Sequence, residues 1–362
     1  MSSDEFWMRR ALLIAEKGKP FTSPNPLVGA LIVKNGKIIS EGYHQKFGSP
    51  HAEIEALNRA GKKSIGATLY VTLEPCSTYG KTPPCTEAIK QSKIKKIVIG
   101  AIDPNPKHFG KSLRFFKNNG IQIKTKVLEE FALKQNESFV KWIKTGLPFV
   151  TLKMAQSLDG KIASRTGSSR WISGKKAREW VHGLRSESDA VLVGKNTLLR
   201  DDPRLTVRNG KVTKSPWRIV LDSNGEISKS ARIFDQKGQT ILVCSDKKTK
   251  DVIKKFKGKN VTILPVKEKN GRVNLAQLLK HLGSLGISSL LVEGGGEVAW
   301  SFIEGNFVDK LYWVIAPKII GGRDAKTSIE GDGVTLLDNA PKVRPSAIQF
   351  LGEDLLFEGY LN

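Results

Sequence analysis

Four residues near the start of the chain have the types and spacing of a metal-dependent hydrolytic site: His51, Glu53, Cys76 and Cys85. One imidazole and two thiolates are ligands that zinc prefers, and a tetrahedral ion would keep its fourth position for a water. Zinc lowers the pKa of that water from about 15.7 to about 7, which provides hydroxide at neutral pH. Glu53 is close enough to His51 to pass protons between this water and a substrate nitrogen. The pattern predicts hydrolytic removal of an exocyclic amine from a heteroaromatic ring.

The spacing of the two cysteines differs from the general zinc-deaminase pattern. That pattern ends in Pro-Cys-x-x-Cys, whereas eight residues separate Cys76 from Cys85 here. The ligand geometry is retained if Ser77–Pro84 loop out and Cys85 begins the next helix, with Pro84 near its first turn. The alternatives are a structural zinc site, which usually has four protein ligands, and two unrelated buried thiols.

Length and composition indicate two domains and no membrane span. A chain of 362 residues can bury a large core and divide in two. No stretch approaches the ~20 apolar residues of a membrane span, and Met1–Arg10 lacks the apolar region of a signal peptide. Three cysteines, two of them assigned to the metal, favour a reducing, cytoplasmic compartment. Cys244 is expected in a buried strand.

The net charge of +24 has more than one explanation. It could serve nucleic-acid binding, but the lysines are scattered in ones and twos, without a long basic run or an aromatic-interleaved basic stripe. A solvated, lysine-rich surface or attraction of an anionic small substrate explains the charge as well. We therefore expect a phosphorylated small molecule as partner, no nucleic acid and no membrane, and the sequence leaves a homo-oligomer open.

Apolar periodicity and turn residues predict two α/β domains, 1–146 and 147–362. In the first, an amphipathic helix at 4–18 precedes a hairpin whose Asn35-Gly36 turn is a strong type I′ signal. Repeated strand–helix units then predict a three-layer domain. The predicted strands are 27–34, 37–43, 68–73, 96–101 and 121–127, and the later helices are 52–60, one from 85, one near 111–118 and one over 129–143. The breaker Lys144–Pro148 marks the domain boundary.

The second half repeats the α/β pattern around a mainly parallel sheet. Strands are predicted near 149–155, 190–193, 218–221, 240–244, 261–265, 289–292 and 310–316, and helices near 175–186, 275–282 and 298–304. Glu293-Gly-Gly-Gly296 joins a strand to a helix, where backbone N–H groups can approach a phosphate. A glycine-rich turn between a strand and a helix is just as often a tight turn that binds no ligand. A metal-free domain with this loop suits nicotinamide cofactor chemistry. His182 and His281 are expected on a helix face and at the surface.

Ten short motifs, spread through the chain, are similar to those of one known family. They are Asn25–Gly29, Gly42–His44, His51–Glu53, Thr72–Cys76, Gly80–Cys85, Asp103–Pro106, Ser157–Gly160, Trp171–Ser173, Asp201–Thr206 and Val292–Gly295. In this order, and with the eight-residue cysteine spacer, the chain resembles the bifunctional riboflavin-biosynthesis deaminase/reductase family over essentially its whole length. The resemblance implies an α/β fold with a cytidine-deaminase-like first domain and a dihydrofolate-reductase-like second domain. It also implies one zinc ion per chain and NADPH as cofactors.

Two reactions follow from the resemblance. The first domain would deaminate the pyrimidine of 2,5-diamino-6-ribosylamino-4(3H)-pyrimidinone 5′-phosphate. The second would reduce the ribosyl group to ribityl with NADPH, giving 5-amino-6-(5-phospho-D-ribitylamino)uracil. The loop Ser245–Lys248 offers hydroxyl and cationic groups to the 2′-phosphate of that cofactor.

The resemblance also implies roles for individual residues of the first domain. His51, Cys76 and Cys85 would bind zinc, and Glu53 would be the catalytic proton carrier. The pyrimidine pocket would contain Asn25, His44, Lys81 and Asn105, with Lys81 facing the phosphate or ribose. Both asparagines lie in Pro-flanked turns, where Asn is common in any case.

In the second domain the implied positions fall into two sets. The cofactor positions are Ala155, Trp171, Thr197, Asp201, Ser223, Gly295, Gly296, Glu297, Val298, Ala299, Trp300 and Ser301. The substrate positions are Ser169, Arg185, Leu205, Arg208 and Glu293, and Lys153 is a further candidate because of its place on the predicted strand. Arg185 and Arg208 could each bind a phosphate through two parallel hydrogen bonds, and Lys153 would lie beside the nicotinamide. For Trp171 the alternative is a core aromatic.

Two other functions share some of these features. A tRNA or nucleotide deaminase would use the same zinc site and suits the positive charge, but it leaves the second domain without a role. A zinc-stabilised RNA-binding protein leaves Glu53 and the open fourth zinc position unexplained. Both alternatives predict an RNA affinity that falls steeply with salt, because nucleic-acid binding releases counterions.

Overall fold

The computed structural model describes residues 2–79, 83–207, 214–269 and 271–361. The chain divides into two compact units, Met1–Gly146 and Leu147–Asn362. The first unit ends where Gly146 terminates a helix with φ 71°, a left-handed conformation that glycine adopts without a steric penalty.

The first unit is built from one five-stranded sheet with helices on both faces. Its strands are β1 (Gly29–Lys34), β2 (Lys37–Tyr43), β3 (Thr68–Leu73), β4 (Lys96–Ala101) and β5 (Gln122–Lys124). Its helices are α1 (Ser3–Ala15), α2 (Ala52–Ala60), α3 (Cys85–Gln91), α4 (Lys111–Asn118), α5 (Glu129–Gln135) and α6 (Glu137–Thr145). The strand order is β2-β1-β3-β4-β5, with β3, β4 and β5 parallel and the other pairs antiparallel. Because each face of the sheet has its own apolar core, the predicted three-layer arrangement is confirmed.

Local sequence explains two features of this unit. Asn35 and Gly36 have φ of 52° and 69°, as a type I′ turn requires, so the hairpin prediction is confirmed. The single helix predicted over 129–143 is wrong, because it is divided at Asn136 into α5 and α6. The buried Asn136 side chain accepts from the Leu27 backbone N–H at 2.7 Å and donates to the Leu27 carbonyl at 3.0 Å. These bonds to a distant segment interrupt the helix.

The second unit has a nine-stranded sheet and a separate small hairpin. Its strands are β6 (Phe149–Ser157), β7 (Ala190–Gly194), β8 (Trp217–Leu221), β9 (Thr240–Ser245), β10 (Thr262–Val266), β11 (Glu268–Lys269), β12 (Arg272–Val273), β13 (Ser289–Val292), β14 (Lys310–Ala316), β15 (Val343–Leu351) and β16 (Asp354–Leu361). Its helices are α7 (Lys175–Glu187), α8 (Lys195–Asp201), α9 (Thr249–Phe256), α10 (Leu275–Ser284) and α11 (Gly296–Glu304). The order in the large sheet is β10-β9-β8-β7-β13-β6-β14-β16-β15.

This large sheet is parallel from β10 to β14 and antiparallel at its end, where β16 pairs with β14 and β15. Two apolar cores cover opposite faces of the parallel part. The sequence predicted the parallel strands but not α8, α9 or the β15–β16 hairpin. The helix α8 follows β7 without a loop, and the single Gly194 at the boundary is too weak a turn signal to predict it.

All described helices are short. The longest, α1 and α7, have 13 residues each. A bilayer requires about 20 apolar residues, and no described helix is long and apolar enough to cross one. Short 3₁₀ turns occur at Glu16–Gly18, Gly61–Ser64, Arg232–Asp235, Asp246–Lys248 and Leu337–Asn339.

Candidate active sites

Three elements of the first unit bring the predicted metal ligands together. His51 caps the N-terminus of α2, Cys76 follows β3, and Cys85 is the first residue of α3. The His51 Nδ1 lies 3.3 Å from the Cys85 sulfur and 3.6 Å from the Cys76 sulfur. All three ligand atoms lie within 4.8 Å of one another. Tetrahedral ligands at zinc distances of about 2.0–2.3 Å are roughly 3.5 Å apart, so this donor set fits zinc.

The eight-residue cysteine spacer is compatible with this geometry because its two ends meet. The Cys85 backbone N–H donates to the Cys76 sulfur at 3.3 Å, and the Thr86 N–H donates to the Cys76 carbonyl at 3.2 Å. Cys85 begins α3 as predicted, and Pro84 is the residue just before the helix. The helix N-terminus therefore faces the sulfurs and favours their negative charge.

Glu53 is a buried carboxyl group with one oxygen, Oε2, that has no partner among the described residues. Its side chain is 2% exposed, and its Oε2 makes no hydrogen bond within the described part of the chain. Burial raises the pKa of Glu53, although the neighbouring His51 opposes the rise. A buried carboxyl group without a partner costs stability unless a ligand uses it. The site therefore combines three metal ligands with one acid–base group whose Oε2 has no described partner.

The short distance between α2 and β2 places His51 and Glu53. A Cβ on Gly42 would lie 2.3 Å from the Ala52 carbonyl oxygen, so only glycine allows this approach. In the metal-free protein, a hydrogen bond with Cys76 raises the pKa of His51 to about 9. Cys76 in turn has its pKa lowered to about 4, mainly by hydrogen bonding with Cys85. Cys76 thus favours the thiolate form that metal binding requires, whereas the hydrogen bond with Cys76 raises the pKa of the Cys85 thiol.

Asn25 and His44 form a hydrogen-bonded pair beside His51. The His44 Nδ1 lies 3.1 Å from the Pro50 carbonyl oxygen and must donate to it. The other ring nitrogen, Nε2, is then an acceptor and receives the Asn25 amide N–H at 3.1 Å. Burial lowers the pKa of His44, which keeps the ring neutral. This fixes the Asn25 side chain so that its Oδ1 stays available as an acceptor.

Asn105 lies in the segment between β4 and α4. Its side-chain oxygen accepts the Lys107 N–H at 3.0 Å. The segment is held by Glu74, a buried residue that the sequence analysis did not single out although it belongs to the motif Thr72–Cys76. The predicted position Lys81 lies outside the described residues.

A cavity of about 670 Å³ lies at the carboxyl ends of β6, β7 and β13 in the second unit. Predicted cofactor and substrate residues line it together: Lys153, Ala155, Ser169, Trp171, Arg185, Thr197, Asp201, Leu205, Glu293 and Gly295. His182, predicted only as a helix-face residue, also lines it, as do Arg170, Arg178 and Arg232. No sequence pattern predicts these four, because helix and loop residues far apart in the chain meet here. Arg208 lies outside the described residues.

Arg185 does not present a free guanidinium to the cavity. It binds Glu293 through two hydrogen bonds, Nε to Oε1 at 2.6 Å and Nη2 to Oε2 at 2.9 Å. Burial alone would raise the pKa of Glu293, but Arg185 and then Lys153 outweigh it and lower that pKa. Burial lowers the pKa of Lys153, which Glu293 only partly offsets. In this structure Arg185 therefore forms an ion pair with Glu293, and its binding to a phosphate stays a prediction.

Trp171 lies at the cavity's opening rather than in the core. Its side chain is 62% exposed, so the core alternative is wrong. The Arg178 guanidinium stacks over its ring at 4.6 Å, and Lys318 donates to its carbonyl at 2.9 Å. Nearby, Ser169 donates to the Asp201 carboxylate at 2.9 Å. These contacts fix an aromatic ring at the edge of the cavity.

The cofactor positions on α11 fall into three groups. Gly295 and Gly296 form the start of the helix, which has no side-chain cap, so its first N–H groups are available to an anion. Ala299 and Trp300 are buried in the apolar core, and Val298 packs against it. Glu297 and Ser301 are bonded to Arg272, at 2.8 and 3.1 Å.

Ser223 is not among the residues that line the cavity. It follows β8, and its carbonyl accepts the Ser245 N–H at 3.0 Å. Lys247, in the loop expected to face the cofactor's 2′-phosphate, pairs with Glu268 at 2.9 Å.

Family models match both units. The model of the cytidine and deoxycytidylate deaminase zinc-binding region matches residues 1–101. The model of the RibD C-terminal domain matches residues 148–357. The first match contains the three metal ligands and Glu53, and the second contains the whole lining of the cavity described above.

Curated proteins and solved structures are similar to this chain over almost its full length. The riboflavin biosynthesis protein RibD of Aquifex aeolicus is 46% identical over 98% of this chain and 97% of its own. RibD of Escherichia coli is 38% identical over 97% and 98%. A structure of Acinetobacter baumannii RibD has a TM-score of 0.90 and 34% identity, with 99% of each chain covered. A Thermotoga maritima deaminase/reductase has a TM-score of 0.88 and 37% identity, also with 99% of each covered.

A zinc-fitting site with a free carboxyl group in one unit and an open, charge-lined cavity in the other are what two successive reactions on one chain require. With both matches and these relatives, the chain belongs to the RibD family of bifunctional deaminase/reductases of riboflavin biosynthesis.

Proposed function

We propose that residues 1–146 deaminate 2,5-diamino-6-ribosylamino-4(3H)-pyrimidinone 5′-phosphate and that residues 147–362 then reduce its ribosyl group. The product is 5-amino-6-(5-phospho-D-ribitylamino)uracil. The observation that supports this most is the buried Glu53 Oε2, which has no described partner and lies beside a three-ligand zinc set. The Thermotoga maritima relative is a diaminohydroxyphosphoribosylaminopyrimidine deaminase and 5-amino-6-(5-phosphoribosylamino)uracil reductase, whose two activities are the same two steps.

In the deaminase site, His51, Cys76 and Cys85 hold the metal and Glu53 moves the proton. Bound zinc supplies a nucleophilic water at neutral pH by lowering that water's pKa. Glu53 Oε2 accepts a proton as the water oxygen attacks the ring carbon and returns it to the leaving nitrogen, which departs as ammonia. The raised pKa of Glu53 suits this exchange, because a proton carrier works best when its pKa approaches the operating pH.

Asn25, His44, Lys81 and Asn105 bind the pyrimidine and its phosphoribosyl group. The Asn25 Oδ1 can accept a hydrogen bond from an exocyclic amine, since its amide N–H is bound to His44. Neutral His44 maintains that orientation and adds no charge next to the metal ligands. Lys81 supplies a cation for the phosphate.

In the reductase site, Lys153 and Glu293 face the reacting carbon. NADPH supplies the hydride. The hydride adds to C1′ of the ribosyl group, the C1′–O4′ bond breaks, and O4′ takes up a proton. Lys153 is suited to donate it, because burial lowers its pKa and makes the ammonium group a stronger acid. Arg185 orients Glu293, while Ser169, Leu205 and Arg208 complete the substrate contacts.

The helix start at Gly295 and the exposed ring of Trp171 would hold the cofactor. The free N–H groups of Gly296, Glu297 and Val298 can bind its pyrophosphate. Ala299, Trp300 and Ser301 support the helix from behind. The remaining positions, Ala155, Thr197, Asp201 and Ser223, lie in or directly after β6, α8 and β8.

The partner is a small phosphorylated pyrimidine and not a nucleic acid, and the enzyme acts in the cytoplasm. The three cysteines are unpaired by disulfides, as in a reducing compartment. Positive charge attracts an anionic substrate without a nucleic-acid surface. If RNA binds with an affinity that falls steeply between low and high salt, this part of the proposal is wrong.

A second copy of the chain pairs along β15. This edge strand has one neighbour, β16, and its side chains Ile348 and Phe350 are 64% and 72% exposed. An exposed apolar edge usually needs a partner. Light scattering should show a dimer that dissociates in Ile348→Lys/Phe350→Lys, whereas Leu199→Lys, at an exposed apolar residue of α8, should leave the dimer intact.

The decisive experiment follows each step separately with Glu53→Ala. Deamination should fall by about 10²–10⁴-fold, since a positioned proton carrier is removed. Zinc content should stay at one per chain, and NADPH oxidation on the deaminated pyrimidine should be normal. The control is Glu55→Ala, on the same helix but paired with Arg59 at 3.0 Å. Unchanged deamination in Glu53→Ala would refute the proposed mechanism.

A further inference from the structure

Glu74 is a buried carboxylate to which neither reaction assigns a role. It directly follows β3, two residues before Cys76, and is 4% exposed. Its described hydrogen-bond partners are three backbone N–H groups and one hydroxyl, and none of them is a cation. A buried charge held only by neutral donors depends on all of them being in place.

The donors lie at both ends of one segment. Oε2 accepts from the N–H groups of Asp103 at 3.2 Å and Gly110 at 3.0 Å. Oε1 accepts from the Ser112 N–H at 3.1 Å and from its hydroxyl at 2.9 Å. The segment Asp103–Gly110 joins β4 to α4, whose N-cap Gly110 has φ 66° and no side-chain cap. Glu74 therefore supplies, from a different strand, the anion that the start of α4 lacks.

The same segment contains Asn105 and touches the cysteine loop. The Asn105 N–H donates to the Asp103 carboxylate at 2.8 Å. Thr78, two residues after Cys76, lies within 3.2 Å of the His108 ring nitrogen Nδ1. The segment is thus attached on both sides of Cys76, by Glu74 before it and by Thr78 after it.

We propose that Glu74 is a positioning residue of the deaminase site. Its carboxylate holds both ends of Asp103–Gly110 against the strand that leads to Cys76, and this fixes Asn105 relative to the metal ligands. The inference rests on the proposed role of Asn105 in pyrimidine binding. Two acceptor oxygens are needed, because an amide at this position would turn an NH₂ group towards two of the donors.

The test compares Glu74→Gln with Glu87→Gln, a matched change in the first turn of α3. In Glu74→Gln the amides of Gly110 and Ser112 should exchange hydrogen at least about tenfold faster, because a buried acceptor is lost. Zinc should remain at one per chain. The KM for the diamino substrate should rise about tenfold, as in Asn105→Ala, with a smaller change in kcat and normal reduction of the deaminated pyrimidine. Glu87→Gln should change none of these.

The double variant Glu74→Gln/Asn105→Ala separates positioning from general stabilisation. Its KM should be no higher than that of Asn105→Ala alone, because both changes remove the same contact. Additive effects would overturn the inference. So would unchanged exchange in Glu74→Gln, or faster exchange with an unchanged KM.

Two further results remain decisive. If Glu74→Gln does not fold, Ser112→Ala removes a single bond to Oε1, and the same amides must still exchange faster; otherwise the inference is wrong. If Asn105→Ala leaves KM unchanged, the proposed pyrimidine pocket fails and the positioning role fails with it. A normal result in Glu74→Gln alone overturns only the present inference.

Discussion

The two active sites both lie at the carboxyl ends of parallel strands, but they are built differently. The deaminase site brings three ligand atoms within 4.8 Å of one another. The reductase site is a cavity of about 670 Å³ lined by residues from Lys153 to Gly295. A metal requires particular donor atoms at fixed distances, whereas a cofactor pocket requires shape, backbone donors and balanced charge. Loss of one metal ligand should therefore abolish the activity of the first site. Loss of one lining residue should lower the activity of the second site only in part.

The central glutamates show the same contrast. Glu53 has no described partner for one oxygen, and burial raises its pKa. The Glu293 side chain is 9% exposed, but Arg185 and Lys153 overcome the effect of its burial and lower its pKa. One carboxyl group is thus prepared to exchange a proton, and the other to remain charged. Environment rather than residue type assigns the two roles.

Loss of one zinc ligand should have the largest effect. Cys76→Ser replaces a thiolate by a neutral hydroxyl, so we expect metal content to fall well below one per chain and deamination to be abolished. Reduction of the deaminated pyrimidine should continue. Cys244→Ser, at a buried thiol in β9, is the control and should retain zinc. Full zinc occupancy in Cys76→Ser would remove Cys76 from the ligand set.

Arg185→Ala should produce a large but partial loss in the other site. It leaves Glu293 buried without its bidentate partner, a change that typically costs about 3–5 kcal/mol. We expect reduction to fall by roughly 10²-fold or more, with lower stability of the second unit only. Arg185→Lys keeps the charge but not the two parallel hydrogen bonds. Its rate of reduction should lie between those of wild type and Arg185→Ala. Equal effects on deamination would contradict independent sites.

The sequence predicted the first site well because its chemistry depends on residue type and local spacing. His51 and Glu53 are two residues apart at one helix start, and Cys85 begins the next helix as expected. Glu74 was missed because its donors lie at positions 103–112, a contact between distant segments that spacing cannot reveal. The break at Asn136 was missed for the same reason.

The second site was predicted through resemblance rather than through chemistry. The strands and the glycine turn after β13 followed from apolar runs, and many assigned residues do line one cavity. The pairing of Arg185 with Glu293 could not be predicted, because the two residues are 108 positions apart. Either side chain alone is compatible with binding a phosphate or a counter-ion. Only the folded arrangement decides between these uses.

A smaller effect is expected from the loop that follows β9. Lys247→Ala/Lys248→Ala should raise the KM for NADPH by roughly twofold to fivefold, the usual range for exposed charge contacts, and leave that for NADH unchanged. The effect should shrink in high salt. Lys250→Ala/Lys254→Ala, on the neighbouring α9, is the control. If NADPH use is unchanged, the 2′-phosphate is bound elsewhere. The preference for NADPH is tested separately, by comparing kcat/KM for NADPH and NADH in the wild-type protein.

The smallest effect should come from Asp159, the counterpart of Glu74 in the second unit. Both are carboxylates at strand ends that accept N–H groups from a distant loop, but Asp159 is exposed. It accepts from Ile320 at 3.0 Å, Gly321 at 2.7 Å and the Ser157 hydroxyl at 2.6 Å. The Ser157 bond and then the two N–H groups lower the pKa of Asp159 to about 2.

Because the folded-state pKa of Asp159 lies below the unfolded value of about 3.9, its stabilising effect is present above that pH and is lost as the pH falls through about 2. Asp159→Asn should therefore lower the Tm of the second unit by a few degrees at pH 7, and the difference from wild type should disappear near pH 2. Asp324→Asn changes an exposed aspartate with no described hydrogen bond, so its Tm should equal that of wild type at every pH. A Tm difference that persists at pH 2 would show that the Asn side chain perturbs packing instead. Asp159 remains hydrated, whereas Glu74 is enclosed. Replacing the carboxylate by an amide should therefore lower the stability of the deaminase unit more than that of the reductase unit.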